Sequence, residues 1–321
     1  APMMDCTDRH DRFFLRLISK NVMLYSEMVA TKSALYGDRK KILAYSPEEK
    51  PLALQVGGSD KKELAQVAKI AEEMGYDEIN INLGCPSKKV QKNSFGACLM
   101  KEPNLVSECI NEMVNSCNIP VTAKTRIGFD DTEDFDYLNK FILKMKKAGC
   151  KTFILHARKA ILKGLTPKQN LNIPKINYEM VYKIKKENPN LEIIINGGIS
   201  KVSEIKEHLN KCNGVMIGRA IYQNPFFLVD IEKEIFNVKN NPTREEVAEK
   251  LLKYLEKEVK LGTKVNHVMR HTVGLYHGQA GSKNWKRYLS ENMMARDSDF
   301  QKAKHIMTVV QNNEKVSRPI K

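Results

Sequence analysis

A cysteine directly after the end of a short apolar strand is the feature of this chain with the clearest potential for chemistry. The apolar segment Ile79–Leu83 carries Asn82 and leads into the turn Gly84–Ser87, which contains Cys85. A thiol acts as a nucleophile when it is ionised and as a proton donor when it is not. Cys85 is therefore the candidate catalytic residue, with Asn82 as a polar neighbour on the strand.

Four other apolar segments also end in a single polar side chain. They are Leu52–Leu54 before Gln55, Val121–Ala123 before Lys124, Phe153–Leu155 before His156, and Ile193–Ile195 before Asn196. Barrels of parallel strands keep their active sites at the carboxyl ends of the strands. One such polar side chain usually has its hydrogen bonds satisfied at the end of its strand, but five together predict a functional site. Lys124 strengthens this interpretation, because an ammonium among apolar neighbours is costly unless it meets an anion.

Two glycine-containing turns follow the last two predicted strands. Gly197 and Gly198 come after Asn196, and Gly218 precedes Arg219. Glycines let backbone N–H groups approach a phosphate closely, and barrels commonly bind phosphate at this place. Arg219 could contact the same phosphate with two hydrogen bonds. No G-x-G-x-x-G motif opens a helix after an early strand, so the pattern favours a phosphate-bearing cofactor with a flat heterocycle, such as flavin mononucleotide (FMN).

The elements that must position these residues alternate between strands and helices up to residue 236. The predicted strands are Ala1–Met4, Val22–Tyr25, Leu52–Val56, Glu78–Asn82, Val121–Thr125, Thr152–His156, Ile193–Asn196 and Val215–Ile217. The predicted amphipathic helices are Asp60–Met74, Asn104–Cys117, Asp134–Lys147, Tyr178–Glu187 and Ser203–Leu209. Eight alternating strands predict an α/β fold, a (β/α)8 TIM barrel over residues 1–236.

After residue 236 the pattern becomes helical, beginning at Pro242–Glu246, and predicts a small all-α domain over residues 237–321. The whole chain has a formal net charge of +15, and residues 238–321 hold 17 Lys and Arg against 9 Asp and Glu. Such a basic excess favours a polyanionic partner. Two lysines beside Cys85, Lys88 and Lys89, are well placed for phosphates that flank a substrate.

The remaining composition limits the class of protein. The seven cysteines form no C-x-x-C pair, which fits a reducing compartment and predicts no metal site. No segment reaches about 18 consecutive apolar residues, so no membrane association is expected. We expect a cytoplasmic monomer, with an organelle as the alternative if an N-terminal leader was removed.

Together these motifs resemble the tRNA-dihydrouridine synthases, and within them the subgroup that acts on D-loop uridines at positions 20 and 20a. The resemblance is carried by Pro2–Asp5, Leu52–Ser59, Asn82–Ser87, Phe95–Met100, Lys124–Gly128, His156–Ala160, Asn196–Ile199, Gly218 with Arg219, Arg270 with His271, and Trp285–Glu291.

The resemblance implies FMN as cofactor, NADPH as reductant and the D-loop of tRNA as partner. The implied FMN-binding residues are Pro2, Met3, Met4, Gln55, Lys124, His156, Asn196, Gly197, Gly198, Gly218 and Arg219. It also implies that Asn82 and Arg158 contact the uridine. Reduced FMN would give a hydride to C6, and Cys85 would give a proton to C5. The helical domain would bind tRNA through basic residues such as Lys286 and Arg287.

Three alternatives stay open. Cys98 lies thirteen residues after Cys85 and competes for the role of acid, although it follows a lysine-rich loop rather than a strand. The barrel could instead reduce a free pyrimidine or another small molecule. A third possibility is a tRNA-binding barrel without catalysis.

Overall fold

The computed structural model describes residues 1–293 together with residues 300, 301, 303, 304 and 307. The chain forms two compact units. The first contains Ala1–Asp5 and Met23–Gly218, and the second contains Cys6–Val22 and the residues from Arg219 on. No helix among the described residues is both long and apolar enough to cross a membrane.

The first unit is built on a parallel sheet whose strands follow one another in chain order. The strands are β1 (Leu24–Ala30), β2 (Leu52–Gly57), β3 (Glu78–Leu83), β4 (Val121–Arg126), β5 (Thr152–His156), β6 (Glu192–Asn196) and β7 (Gly214–Met216). Six of these lie within one residue at each end of the predicted strands. The predicted segment Val22–Tyr25 overlaps only the beginning of β1. The prediction of a parallel α/β fold is confirmed.

The prediction of eight strands was wrong, because Ala1–Met4 forms no strand and the sheet has seven strands in the described part of the chain. Pro2 has no N–H to donate to a ladder. The chain then turns sharply at Asp5, whose φ of 62° lies in the left-handed region. The terminal ammonium of Ala1 instead donates to the Ile217 carbonyl oxygen at 2.7 Å, so the segment lies beside the end of β7 without joining the sheet.

The sheet curls so that its first and last strands contribute to one buried cluster. Tyr25 of β1, Ala53 of β2, Ile154 of β5 and Met216 of β7 pack together, and Ala1 packs against them. A flat sheet of this strand order would keep β1 and β7 far apart, since neighbouring strands are about 4.8 Å apart. Alternate side chains of the strands therefore face a common interior.

Helices follow most of the strands. The α-helices in chain order are α1 (Arg9–Ile18), α2 (Thr31–Tyr36), α3 (Arg39–Ile42), α4 (Lys61–Glu73), α5 (Lys88–Lys92), α6 (Pro103–Ser116), α7 (Phe135–Lys147), α8 (Tyr178–Glu187), α9 (Val202–Leu209), α10 (Arg219–Gln223), α11 (Phe227–Glu234), α12 (Arg244–Lys260), α13 (Val265–Met269) and α14 (Ser282–Tyr288). The five helices predicted from the pattern correspond to α4 and α6–α9. Side chains of Asp60, Asp134 and Asn177 cap α4, α7 and α8, as their residue types favour.

Short 3₁₀ turns occupy Pro47–Glu49, Gly96–Lys101, Gln169–Leu171 and Arg270–Gly274, and a π-helical turn covers Leu289–Met293.

The described elements of the second unit are helical. Thr243 and Glu246 form a capping box at the start of α12, where the sequence predicted that a helix begins. Trp285 of α14 is fully buried, and its Nε1 donates to the Thr272 carbonyl oxygen at 2.8 Å, so it is a core residue. The compact units divide after Gly218, whereas the sequence suggested a domain boundary after residue 236; the assignment of residues 237–321 as a tRNA-binding domain stays a prediction.

Candidate functional site

Polar side chains gather at the carboxyl ends of neighbouring strands of the first unit. The register pairs Asn82 with Lys124 across β3 and β4, and His156 with Asn196 across β5 and β6. Gln55 pairs with Asn80 across β2 and β3. The structure thus brings the five predicted strand-end residues to one edge of the curled sheet, and side-chain alternation explains why the sequence could predict this.

A chain of side-chain hydrogen bonds runs along the inner face of β2, β3 and β4. Asn82 Nδ2 donates to Gln55 Oε1 at 2.8 Å, and Gln55 Nε2 donates to Asn80 Oδ1 at 2.8 Å. Asn80 Nδ2 donates to Thr122 Oγ1 at 2.8 Å, and Thr122 Oγ1 donates to Glu78 Oε1 at 2.5 Å. The two predicted binding residues, Gln55 and Asn82, therefore bond to each other. The sequence analysis assigned no role to Asn80, Thr122 or Glu78.

Asn82 also fixes the backbone of the cysteine turn. Its Oδ1 accepts the N–H of Gly84 at 3.1 Å and the N–H of Cys85 at 2.9 Å. The Cys85 carbonyl oxygen accepts the N–H of Ala97 at 2.9 Å. A Cβ at Gly96, whose φ is +79°, would lie 2.6 Å from that oxygen, so only glycine fits there. The Cys85 peptide is consequently held on both sides.

The ionisation of the site follows from burial and neighbouring charge. Burial raises the pKa of the Cys85 thiol, against the opposing effect of Arg126 and Lys124. Burial and the neighbouring Arg126 charge lower the pKa of Lys124 to about 8. The thiol therefore stays protonated at neutral pH, while the ammonium is close to titration. Among the described residues, no carboxylate pairs with Lys124 or Arg126, which leaves the edge positively charged.

Arg126 is a residue of this site that the sequence analysis missed. It lies two residues after Lys124 on β4 and is buried. Its guanidinium donates to the carbonyl oxygens of Gly84, Lys159 and Asn170, each at 3.0 Å. The period of two along a strand places it on the same face as Lys124, and this was the signal that could have found it.

The first of the two glycine turns adopts a backbone conformation that favours glycine. Gly197 and Gly198 have φ values of +120° and +76°. A Cβ at Gly197 would lie 2.7 Å from His156 Cδ2, so the absence of a side chain lets the turn approach the histidine. A Cβ at Gly218 would lie 3.3 Å from Met3 Sδ, which brings the predicted Pro2–Met4 segment beside the turn after β7. Arg219 begins the second unit.

Asn196 contributes to the sheet as well as to its edge, because its Nδ2 donates to the Met216 carbonyl oxygen at 2.8 Å. Arg158 follows β5 and donates to the carbonyl oxygens of Asn172, at 3.3 Å, and Pro174.

The remaining candidates differ in exposure. Lys88 and Lys89 lie exposed on α5, directly after the cysteine turn, and Lys286 and Arg287 lie exposed on α14. Cys98 is half-buried, and its Sγ donates to the Phe95 carbonyl oxygen at 3.1 Å. Within the described part of the chain, no cluster of three or more His, Cys, Asp or Glu side chains is arranged to hold a metal ion.

A curled parallel sheet with a thiol and polar side chains at its carboxyl edge is an α/β fold of the TIM-barrel type. Solved structures agree on the fold. Morphinone reductase matches with a TM-score of 0.50 and 11% identity over 77% of this chain and 87% of its own. An old yellow enzyme homologue from Zymomonas mobilis matches with a TM-score of 0.51 and 8% identity over 77% of this chain and 88% of its own.

Sequence relationships are far more specific. The model of the dihydrouridine synthase (Dus) family matches residues 1–312. A tRNA-dihydrouridine(20/20a) synthase from Shewanella oneidensis is 50% identical over 91% of this chain and 87% of its own length. The Escherichia coli K12 protein of the same name is 47% identical over 97% of this chain and 90% of its own length. The chain belongs to the dihydrouridine synthase family, which makes it an oxidoreductase.

Proposed function

We propose that this protein reduces the C5=C6 bond of uridine to dihydrouridine in the D-loop of tRNA, at position 20 or 20a. The relatives at 47–50% identity carry that activity in their names. The observation that carries the proposal is the geometry around Cys85: a protonated thiol on a rigid turn, directly beside an edge rich in cations and amide groups. A uridine must leave its stack to enter such a site, which costs least in a loop.

FMN is the cofactor that we propose for this edge. Its binding residues would be Pro2, Met3, Met4, Gln55, Lys124, His156, Asn196, Gly197, Gly198, Gly218 and Arg219. The charges of Lys124 and Arg126, which no carboxylate pairs among the described residues, favour an anionic group, and the glycine turn at Gly197 and Gly198 is of the kind whose backbone N–H groups bind phosphate. When bound, FMN supplies the hydride for C6 of the uracil ring and is reduced again by NADPH.

Cys85 is the general acid in this proposal. Burial raises the pKa of its thiol, so the proton needed at C5 is present at neutral pH. Cys98 is less suitable, since its thiol hydrogen is directed to the Phe95 carbonyl oxygen. Asn82 supports the acid by holding the Cys85 N–H, and its amide nitrogen keeps a second hydrogen for a uracil carbonyl.

The tRNA would be held by phosphate contacts around the site. Lys88 and Lys89 are exposed beside the cysteine turn, and Arg158 lies at the end of β5 for contact with the uridine. Lys286 and Arg287 on α14 would contribute from the proposed tRNA-binding domain, residues 237–321, next to a catalytic domain of residues 1–236. Contacts of this kind orient the substrate without reading its sequence. We further propose that the protein works as a monomer in the cytoplasm.

The test is to incubate the purified protein with unmodified tRNA and NADPH and to map dihydrouridine by position. We expect modification at position 20 or 20a. Cys85→Ala should lower the rate by about 10²–10⁴-fold, the usual range for loss of a general acid, while the matched control Cys98→Ala should stay within a few-fold of wild type. A Cys98→Ala enzyme that is inactive beside an active Cys85→Ala enzyme would reverse the assignment.

The same experiment separates the two other interpretations. Turnover of free uracil or dihydroorotate, without modification of tRNA, would identify a small-molecule reductase. Purified protein that binds tRNA but takes up no FMN would identify a tRNA-binding barrel without catalysis.

A further inference from the structure

Arg126 connects three separate segments at the carboxyl edge of the sheet. Its Nε donates to the carbonyl oxygen of Gly84, in the connection after β3. One terminal nitrogen donates to the carbonyl oxygens of Lys159, after β5, and Asn170, in the 3₁₀ turn Gln169–Leu171. Only 3% of Arg126 is exposed to solvent. Because these hydrogen bonds all go to backbone carbonyl oxygens, the buried guanidinium stabilises the conformation of the three segments.

The bond to Gly84 is the one that bears on chemistry. The Gly84 N–H donates to Asn82 Oδ1 at 3.1 Å, while the Gly84 carbonyl oxygen accepts from Arg126 Nε at 3.0 Å. The residue before Cys85 is thus fixed from both sides, by β3 through its N–H and by β4 through its carbonyl oxygen. The peptide bond between Gly84 and Cys85 is planar, so only the N–Cα torsion of Cys85 separates this carbonyl group from the thiol-bearing Cβ. Holding the Gly84 carbonyl therefore limits the directions in which the Cys85 side chain can point.

We propose that Arg126 is a positioning residue for Cys85, which it orients through the Gly84 carbonyl and whose thiol it influences by its unneutralised charge. The proposal rests on the acid role of Cys85 for its catalytic meaning. The orientation itself stands on the hydrogen bonds to Gly84.

The charge of Arg126 has no carboxylate partner among the described residues. Burial lowers the pKa of Arg126 to about 10, so the guanidinium remains charged at neutral pH. In the described part of the chain, three ionisable groups influence Cys85 or are influenced by it: Arg126 and Lys124 from β4, and Cys98 from the turn Gly96–Lys101. The two cations oppose the effect of burial on the pKa of Cys85. Loss of Arg126 should therefore raise that pKa further.

Two substitutions separate the charge from the hydrogen bonds. Arg126→Lys keeps a positive charge but cannot reach three carbonyl oxygens with one fixed fork. Arg126→Met removes both. Arg16→Met is the matched control, since Arg16 of the second unit is 1% exposed and donates to the carbonyl oxygens of Ser19 at 3.0 Å and Val22 at 2.9 Å. It is a buried arginine bonded to backbone like Arg126, in a different unit.

The first measurement is the pH dependence of alkylation of Cys85 by iodoacetamide in the flavin-loaded enzyme, followed on the Cys85 peptide by mass spectrometry. For Arg126→Met we expect the midpoint to rise by about one pH unit, as for loss of a nearby opposite charge. For Arg126→Lys the midpoint should stay close to that of wild type. Arg16→Met should lower the thermal midpoint of unfolding without moving the alkylation midpoint.

The second measurement is dihydrouridine formation on tRNA. Arg126→Lys should lower kcat about 10–100-fold, because a small misplacement of a reacting group costs that much. Its KM for tRNA and its flavin content should stay within about two-fold of wild type. A structural role alone would lower stability and flavin content together and leave kcat per bound flavin unchanged.

Several results would overturn the proposal. One is an Arg126→Lys enzyme with the kcat of wild type, which decides the matter even if Arg126→Met does not fold. Another is an alkylation midpoint that Arg126→Met leaves in place, or that Arg16→Met moves equally. If Cys85→Ala kept full activity, the acid role would fail, whereas the alkylation midpoint would still report on Arg126 independently.

Discussion

Both compact units bury charged side chains, but they differ in what those charges meet. In the second unit, Arg9 forms an ion pair with Glu258, and Asp8 accepts from Arg270 at 2.5 Å and lies 3.0 Å from His271 Nε2. At the carboxyl edge of the first unit, Lys124 and Arg126 have no carboxylate partner within the described chain.

The difference separates charges that serve the fold from charges that serve a ligand. A buried charge without a partner raises the free energy of the folded protein, since desolvation is uncompensated. In the second unit, pairing offsets this cost at Asp8 and Glu258. In the first unit, Lys124 and Arg126 keep the cost beside Cys85, and an anionic ligand would relieve it there. A buried charged side chain without a partner of opposite charge is typical of functional sites.

The strongest test of pairing is Asp8→Ala. Asp8 accepts the N–H groups of His10 and Asp11 at the start of α1 and pairs with Arg270 and His271. Loss of the cap costs about 1 kcal/mol, and loss of a charged hydrogen bond costs about 2 kcal/mol more. We expect the free energy of unfolding in urea to fall by about 3 kcal/mol.

The control is Asp60→Ala. Asp60 caps α4 by the same geometry, through the N–H groups of Lys62 and Glu63, and no ion pair to it is present among the described residues. We expect a loss of about 1 kcal/mol. Equal losses at the two positions would show that pairing adds nothing to the stability of the second unit.

The opposite behaviour is expected of Lys124→Met. Removing this unpaired ammonium should leave the unfolding free energy of the flavin-free protein unchanged or higher. The affinity for FMN should fall about 10–100-fold, as for loss of a charged hydrogen bond, measured by fluorescence titration. Lys61→Met is the control, because Lys61 is exposed and pairs with Glu108 at 2.8 Å. If Lys124→Met bound FMN with the affinity of wild type, the ammonium of Lys124 would not serve to bind the ligand.

The pH dependence of stability gives a finer measure of the same cost. Burial lowers the pKa of Lys124 to about 8 in the folded protein, against a pKa of about 10.4 in an unfolded chain. Between these values the unfolded chain binds more protons, so the stability of the flavin-free protein rises with pH. We expect Lys124→Met to lack this rise when unfolding is compared at about pH 7.5 and about pH 9.5. Parallel changes in both proteins would contradict the low pKa of Lys124.

The smallest effects concern exposed charge. Lys253 pairs with Glu249 at 2.8 Å on α12, whereas no carboxylate pairs with Lys286 or Arg287 among the described residues. Lys286→Ala and Arg287→Ala should each reduce the salt dependence of tRNA binding by about one released counterion, in filter binding at several salt concentrations. Lys253→Ala should change it less. The reverse order would indicate that α12 carries the phosphate contacts.

Alternation along strands explains how much of this site was predictable. Apolar segments with one polar end indicated β2–β6, and their shared parallel direction brought Gln55, Lys124 and His156 to one edge. The contacts between strands were not predictable, because they depend on register. Sequence alone therefore showed neither that Gln55 bonds to Asn82 nor that Arg126 reaches Gly84. The segment Ala1–Met4 failed as a strand because apolar composition does not reveal whether a ladder partner is in reach.

The hydrogen-bond chain beneath Cys85 has only one possible direction. At one end stand two backbone N–H groups, which only donate; at the other stands the carboxyl oxygen of Glu78, which accepts from Thr122. The three amide side chains between them must each turn the oxygen toward the cysteine and the nitrogen away from it. The buried carboxyl group and the cysteine turn thus impose the same orientation on the amides from opposite ends, although Glu78 and Asn82 are about 13 Å apart along the strand.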